Sequence, residues 1–429
     1  MTDNTLDAGY TATATAPTDI TGPFFKRRLL GELTRLDHGH LSLIDGNERY
    51  EFGAVNAADG PRATVRVHHP EVYRQMALGG SVGSAEAYMD GAWDCDDLVA
   101  LIRILVRNRE VLDNMEGGMA RLATSALRLW HTLRRNTRDG SRRNIAAHYD
   151  LGNEFFELFL DPSLMYSSAI YLNESESLET AQQRRLQRIC QKLDLQPGQR
   201  LVEIGTGWGG FAIHAARHHG VHVTTTTISQ RQHDLARERI DRAGLGDRIT
   251  LLLEDYRDLK GRYDKLVSIE MIEAIGHQYL DTYFAKVSGL LENHGSALIQ
   301  AITIEDHRFE QALKSVDFIK RHVFPGSFIP SITALLNSAT RRSDMKLVNL
   351  EDIGPSYALT LRHWHQRFLQ QLDQVRALGY SERFVRLWRW YLAYCEGGFL
   401  ERTIGDVQLL FAKPRNRRLQ YLPDLKPSL

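Results

Sequence analysis

The chain has 429 residues, 43% apolar and 25% charged, a composition that fits a globular protein of two or three domains and excludes whole-chain disorder. Lysine plus arginine equals aspartate plus glutamate, 53 of each, so no global field draws the protein to nucleic acid or anionic lipid, and any such attraction has to be local. Three widely spaced cysteines, Cys95, Cys190 and Cys395, offer neither a disulfide framework nor metal-ligand spacing and fit a reducing cytoplasm.

Residues 1–22, rich in Thr, Ala and Asp, read as a disordered leader without the basic-then-apolar pattern of a signal peptide. No run of about 18 apolar residues follows anywhere, so contact with a membrane would come from one side. From Leu29 to His69, short alternating segments broken by Asp-Gly turn chemistry predict a β-rich unit. Helical patterning then runs from Glu71 to Leu112, interrupted at "GGSVG" and "DGAWD", and residues 23–118 are expected to form a small α+β domain.

Between residues 119 and 148 the chain turns basic. Seven arginines, from Arg121 to Arg143, face one acid, Asp139, while Leu122, Leu129, Trp130 and Leu133 recur at helical spacing. This linker reads either as an amphipathic contact with lipid headgroups or as a solvated interdomain helix.

Residues 149–429 read as one large domain. From Asp194 the runs "QRLVEIG", "VHVTTTTIS", "RITLLLED", "DKLVSIE" and "SALIQAIT" are short and apolar or β-branched, most of them followed by a helical stretch. That alternation predicts a doubly wound parallel α/β sheet. Later strands at 346–353 and 406–411, with long helices at about 357–375 and 381–402, suit the methyltransferase variant of the fold better than the dehydrogenase one. An insertion at 304–343 containing "VDFIKRHVFPGSFIPS" mixes aromatic and basic residues, as a lid over an apolar substrate would; a packed helical excursion is the other reading.

The loop in "LVEIGTGWGGF", residues 201–211, carries Gly205, Gly207, Gly209 and Gly210 between a strand and a helix. Glycine lets a ligand approach bare backbone, so a dinucleotide, a phosphate or S-adenosylmethionine would each fit the loop alone. The second strand ends in "TTTTISQRQ" without the carboxylate that a nicotinamide ribose requires, and no Lys-Ser or Lys-Thr closes a phosphate loop. Thr227, Ser229 and Gln232 can hydrogen-bond a ribose or an amino-acid tail. After the third strand, Asp255 can accept from an adenine amino group and Tyr256 can stack on the ring. S-adenosylmethionine is the ligand that survives.

The ordered motifs "AAHYDLGNEFFELFLDPSLMYSSAIY", "LVEIGTGWGG", "TISQRQ", "EDYRDL", "EMIEAIGHQYLDTYF", "VFPGSFIPS", "SYALTLRHW" and "YLAYCEGGF" resemble the cyclopropane-fatty-acyl-phospholipid and mycolic acid cyclopropane synthases. The resemblance spans Asn144 to the C-terminus, and "GSVGSAEAYMDGAWDCDDL" extends it into the N-terminal domain. It implies a class I methyltransferase, Rossmann-like doubly wound sheet with a helical lid insertion, beside a smaller N-terminal α+β domain. It also implies methylene transfer from S-adenosylmethionine to the cis double bond of an unsaturated phospholipid chain. The reaction would pass through a carbocation, in a dry site that aligns methyl and alkene.

The same resemblance assigns Tyr149, Tyr166, Ser167, Glu203, Gly205, Thr206, Gly207, Thr227, Gln232, Asp255 and Tyr256 to the cofactor. It implies a bound bicarbonate ion as proton acceptor, oriented by Glu273 and reached by the Tyr357 hydroxyl, and Glu273 is expected to titrate above the usual carboxylate range. His148 and Asp150 would order the segment that closes over the cofactor. Ser168, Ala274 and Gln300 depart from the family's Cys, His and His. Ser168 and Gln300 keep hydrogen-bonding capacity toward a bicarbonate oxygen but cannot titrate near neutrality.

Cys395 matches a cysteine of the family's site, although a carbocation needs no thiolate and buried cysteine also packs as a small hydrophobe. Trp388, Tyr391, Cys395 and Phe399 share one helix face, whose rings can shelter a cation. Glu270 stands where relatives often have Gly, either coupled to Glu273 or facing solvent. Further expectations are peripheral attachment to the inner face of the cytoplasmic membrane, no nucleic acid, no metal, and a homodimer as in longer relatives. A non-cyclising methyltransferase acting on the same alkene, and a lipid-binding chain without catalysis, are the competing readings.

Overall fold

The computed structural model describes residues 22–53, 60–109, 111 and 151–419. Most of the leader, the basic segment at 119–148, and His148, Tyr149 and Asp150 lie outside the described residues.

The chain opens with α1 (Gly22–Leu33), a helix where alternation suggested a β-rich stretch from Leu29. Phe25, Leu29 and Leu33 recur four residues apart and are all buried, so helical spacing wins over the local strand pattern. β1 (His40–Asp45), β2 (Glu48–Gly53) and β3 (Arg62–Val67) precede α2 (Glu71–Met89), β4 (Trp93–Cys95) and α3 (Leu98–Arg107). The four strands form a sheet in the order β2-β1-β3-β4, with β1 and β3 parallel. The "GGSVG" interruption is a kink inside α2: Gly80 has φ +57° and ψ −139°, a conformation open to glycine. The "DGAWD" interruption ends in the edge strand β4, and Asp97 then caps α3 by accepting from Ala100 N.

The larger unit contains, in chain order, α4 (Asn153–Glu157), α5 (Leu178–Leu193), β5 (Arg200–Ile204), α6 (Gly210–His219), β6 (His222–Thr226), α7 (Gln230–Arg242), β7 (Ile249–Leu252) and β8 (Tyr263–Ile269). There follow α8 (Leu280–Leu290), β9 (Leu291–Ile304), α9 (Phe309–Lys314), α10 (Ile332–Arg342), β10 (Lys346–Asp352), α11 (Gly354–Gln370), α12 (Leu372–Ala377), α13 (Glu382–Leu400) and β11 (Ile404–Ala412). Serine caps set several boundaries: Ser177, Ser229, Ser331 and Ser381 each accept from a backbone N–H in the first turn of the helix that follows.

Seven strands make one sheet in the order β10-β11-β9-β8-β5-β6-β7. The strands from β9 through β8, β5 and β6 to β7 are parallel, while β11 runs antiparallel between β9 and β10. This is the class I methyltransferase arrangement expected from the sequence, and the inserted antiparallel strand is what separates it from a dehydrogenase sheet. Strand order reverses between β5 and β8, and ligands of doubly wound sheets sit at the carboxyl ends of the strands flanking such a point.

The two units share α13. Ile102 of α3 packs against Gly397, where an added Cβ would lie 2.6 Å from Ile102 Cγ2. Arg103 and Arg107 reach Glu401 at 2.6 and 2.8 Å, and the Arg386 guanidinium lies 4.0 Å from the Tyr88 ring centre. The helix that carries Cys395 is thereby braced on the N-terminal unit.

Candidate active site

The glycine loop leaves β5 at the strand-order reversal. Gly205 N and Thr206 N both donate to Thr226 O, which ties the loop to the end of β6. Gly205 and Gly207 have φ of +99° and +53°. A Cβ on Gly207 would meet no protein atom within 4 Å, so it would stand in the cavity itself, the space a ligand needs for contact with bare backbone.

The remaining cofactor candidates within the described residues come together around this loop. Tyr166, Ser167, Glu203, Thr227, Gln232, Asp255 and Tyr256 all line one cavity of about 450 Å³. Thr227 Oγ1 donates to Gln232 Oε1 at 2.8 Å, and the Asp255 carboxylate takes Arg257 Nε and Nη2 at 2.8 and 2.6 Å. Glu203 accepts from Thr225 Oγ1 at 2.6 Å, and burial pushes its carboxyl up to about 8. The buried Ser167 Oγ and Tyr256 hydroxyl have no partner among the described residues. Open backbone and unpaired polar atoms facing one cavity fit a nucleoside bearing an amino-acid tail.

A cluster of carboxyls stands beside the loop, at the sheet edge where β8 and β9 end and the antiparallel β11 begins. Glu270, one residue past β8, accepts from Ser168 N at 2.8 Å and Gln300 Nε2 at 2.7 Å on Oε1, and from the Tyr357 hydroxyl at 2.7 Å on Oε2. Glu273 Oε1 accepts from Ile302 N at 2.6 Å, while its Oε2 has no partner among the described residues. Withdrawal from water, and secondly the Glu270 charge, push the Glu273 carboxyl up to about 8, the direction expected from the sequence. The fully buried Asp406 accepts from Gln300 Nε2 at 3.0 Å and is held well above the usual carboxylate range, by burial first and by Glu270 second. Arg185, also fully buried, supplies a positive charge that lowers both Glu270 and Asp406.

The far part of the cavity has apolar and aromatic walls interspersed with polar side chains such as Arg308, Gln311 and Asp317. Leu361, Tyr391, Cys395 and Phe399 face it from α11 and α13, and Phe324 and Phe328 from the insertion. The insertion is stitched over the site: Phe328 N donates to Glu273 O at 3.0 Å, and Ile304 N to Pro330 O at 2.9 Å. It also reaches the N-terminal unit, with His322 Nε2 and Glu86 Oε1 2.9 Å apart.

The candidate catalytic residues divide into two groups. Glu273, Tyr357 and Cys395 line the cavity. Ser168 and Gln300 are fully buried behind it: the Ser168 hydroxyl donates to Ala169 O, and the Gln300 amide nitrogen is shared by Glu270 and Asp406. The donors that the resemblance allots to bicarbonate therefore do not fit a free ion, since Gln300, Tyr357 and the Ser168 backbone serve Glu270 instead. Burial holds the Cys395 thiol above its ordinary range, so it is present as a packed neutral side chain and not as a thiolate.

Sequence reasoning left Glu270 undecided and passed over Asp406 and Arg185. A lone carboxylate within the apolar run "IGDVQLLFA" was the available signal for Asp406.

A family model described as mycolic acid cyclopropane synthetase matches residues 136–409. Tuberculostearic acid methyltransferase from Mycobacterium tuberculosis is 37% identical over 82% of this chain and 83% of its own length. Cyclopropane-fatty-acyl-phospholipid synthase from Escherichia coli is 35% identical over 86% of this chain and 92% of its own. A crystal structure of a mycolic acid cyclopropane synthase complexed with SAH and CTAB superposes with a TM-score of 0.59 at 29% identity, covering 63% of this chain and 98% of that one.

Proposed function

The chain belongs to the mycolic acid cyclopropane synthetase family of S-adenosylmethionine-dependent methyltransferases, and from that premise we propose that it adds a methylene across the cis double bond of a phospholipid acyl chain, closing a cyclopropane ring. The observation that carries this reading is the single cavity with two chemically different ends. One end has glycine backbone and the polar side chains of Thr227, Gln232 and Asp255; the other has the apolar and aromatic walls of Leu361, Phe324, Phe328 and Phe399. Glu270 and Glu273 of the carboxyl cluster face the same space.

S-adenosylmethionine supplies an electrophilic methyl group when bound. It would be held by the Gly205–Gly207 loop, Tyr166, Ser167, Glu203, Thr227, Gln232, Asp255 and Tyr256. The chain's own contribution begins with excluding water, because an alkene is a weak nucleophile and a carbocation is quenched by solvent. The Tyr391 and Phe399 rings beside the cavity lower the energy of such a cation by about 0.5–2 kcal/mol for each well-placed ring. Glu273, held mostly protonated at neutral pH, adds no full charge to the wall that faces the alkene.

No helix among the described residues is long and apolar enough to cross a membrane. The substrate would be met by peripheral contact at the cytoplasmic face, with the arginines between Arg121 and Arg143 attracting anionic headgroups. Replacing those arginines with Gln is expected to weaken binding to anionic vesicles and to reduce its salt sensitivity; unchanged binding removes that role.

A second reading, methylation without ring closure, is favoured by the similarity to tuberculostearic acid methyltransferase. Incubation with vesicles of unsaturated phospholipid and S-adenosylmethionine, followed by mass analysis and proton NMR of the acyl chains, separates the two. A gain of one CH₂ with upfield cyclopropane protons is the expected result. The same gain without those signals assigns a branched product, and no gain with cofactor bound sinks the lipid reading.

A further inference from the structure

We propose that Glu270 is the proton acceptor of this reaction, a carboxylate built into the chain in place of the bicarbonate ion that the resemblance implies. The inference rests on the alkene-methylation reading above and deepens it. The Tyr357 hydroxyl, the Ser168 backbone N–H and the Gln300 amide converge on Glu270 at 2.7, 2.8 and 2.7 Å. A carboxylate and a bicarbonate present the same planar pair of anionic oxygens, so this donor set serves one or the other. A second anion would face Glu270 and Glu273 with these donors already engaged.

The backbone supports the same conclusion. Glu270 has φ +47°, a left-handed conformation that strains any residue with a Cβ. Strain of this kind persists where the surrounding structure holds a side chain in a required place. Here the strain presents the carboxylate to the cavity at the end of β8, beside the glycine loop.

Charge distribution follows from the neighbours. Asp406 Oδ1 is buried without a partner among the described residues, and burial together with the Glu270 charge raises Asp406 well above the usual carboxylate range. Burial raises Glu270 above the usual carboxylate range, and the Tyr357, Ser168 and Gln300 hydrogen bonds and the Arg185 charge act against that rise. Glu270 accepts from three donors, whereas Glu273 and Asp406 each accept from one, so Glu270 is the member of the cluster built to hold a negative charge. Methyl addition to one alkene carbon leaves a cation on its neighbour. A C–H bond then breaks, the proton bonds to a Glu270 oxygen, and the electron pair closes the ring, or forms a C=C bond if the proton leaves without ring closure. After product release the carboxylic acid returns its proton to water.

The test uses the full chain on vesicles of mono-unsaturated phosphatidylglycerol in carbon-dioxide-free buffer, with and without added bicarbonate. The unsubstituted protein is expected to turn over at a rate that bicarbonate changes by less than about 2-fold. Glu270→Gln and Glu270→Gly are expected to lose ~10²–10⁴-fold in rate, the range for removing a general base, while binding S-adenosylmethionine normally by calorimetry. Glycine fits the φ and vacates the donor set, so added bicarbonate or formate should restore activity to Glu270→Gly and leave Glu270→Gln inactive. Bicarbonate-dependent turnover by the unsubstituted protein overturns the proposal, and so does full activity of Glu270→Gly without added anion.

The first of those outcomes needs no variant, so a folding defect in either one does not shelter the idea. If no unsaturated lipid is methylated at any bicarbonate concentration, the lipid reading fails, and NMR titration with isotopically labelled bicarbonate decides this one. Saturable binding to Glu270→Gly alone supports it, and saturable binding to the unsubstituted protein rejects it.

Discussion

Tyr357 donates its hydroxyl hydrogen to Glu270 Oε2 at 2.7 Å, joining the first turns of α11 to the end of β8. The Tyr357 ring is stacked on Phe399 with centroids 4.5 Å apart, so the hydroxyl is aimed by packing and not by chance rotation. Tyr357→Phe keeps the stack and removes one of three donors to the ionised carboxylate. Losing a hydrogen bond to the charged form raises the Glu270 pKa, which moves the acid limb of the pH–rate profile to higher pH. Turnover at neutral pH is expected to fall about 10–100-fold, a factor of ten for each unit by which the raised pKa leaves Glu270 protonated, with cofactor affinity unchanged. An unshifted profile would show that the hydroxyl does not act on the titrating carboxylate.

Gly207 combines φ +53° with open space where a Cβ would stand. Gly207→Val puts a branched side chain into the region assigned to the cofactor, at a backbone angle that costs a non-glycine residue about 1–2 kcal/mol. Calorimetry should show S-adenosylmethionine affinity reduced at least about 10-fold, a loss of ~1.4 kcal/mol or more, because contact with bare backbone is blocked. Unaltered affinity would place the cofactor elsewhere in the cavity.

Cys395 lines the cavity as a neutral thiol. Cys395→Ala removes some packing volume and no charge, so turnover should stay within about 10-fold and the pH–rate profile should keep its shape. A fall of several orders of magnitude with normal cofactor binding would restore a chemical role to the thiol.

How much of this was legible depended on whether the signal was local. The sheet was readable because each parallel strand is a short apolar run with its own helix, and the cofactor residues because they recur after successive strands. α1 was misread where an i, i+4 face overlapped an alternating stretch, and burial of Phe25, Leu29 and Leu33 resolved it. The carboxyl cluster was the least legible part. Glu270 looked like a strand-end residue until Gln300, Asp406 and Tyr357 were brought to it from β9, β11 and α11, which no spacing in the sequence encodes. Ser168 and Gln300 were assigned by position in a motif, and their side chains turned out to serve the protein's own groups behind the cavity.

The buried titratable groups also fix how stability varies with pH. His214 and His365 are pushed down to about 4 by burial, below an unfolded value near 6.5. Their neutral forms contribute stability that is complete above pH 6.5 and is lost as pH falls toward 4, because the unfolded chain takes up the protons first. Glu203 and Glu273 behave oppositely. With folded values of about 8 against 4.5, each favours folding fully below pH 4.5 and loses that contribution as pH rises through 8. The two pairs offset one another between pH 4.5 and 6.5. Above 6.5 only the glutamates still titrate, so stability should decline toward pH 8 by up to about 1.4 kcal/mol per pH unit for each group. Glu203→Gln cannot ionise, and its carbonyl oxygen can still accept from Thr225 Oγ1. Urea unfolding at pH 6.5 and pH 8 should therefore show a smaller loss in Glu203→Gln than in the unsubstituted protein. Equal losses would mean that Glu203 does not carry its proton into neutral pH.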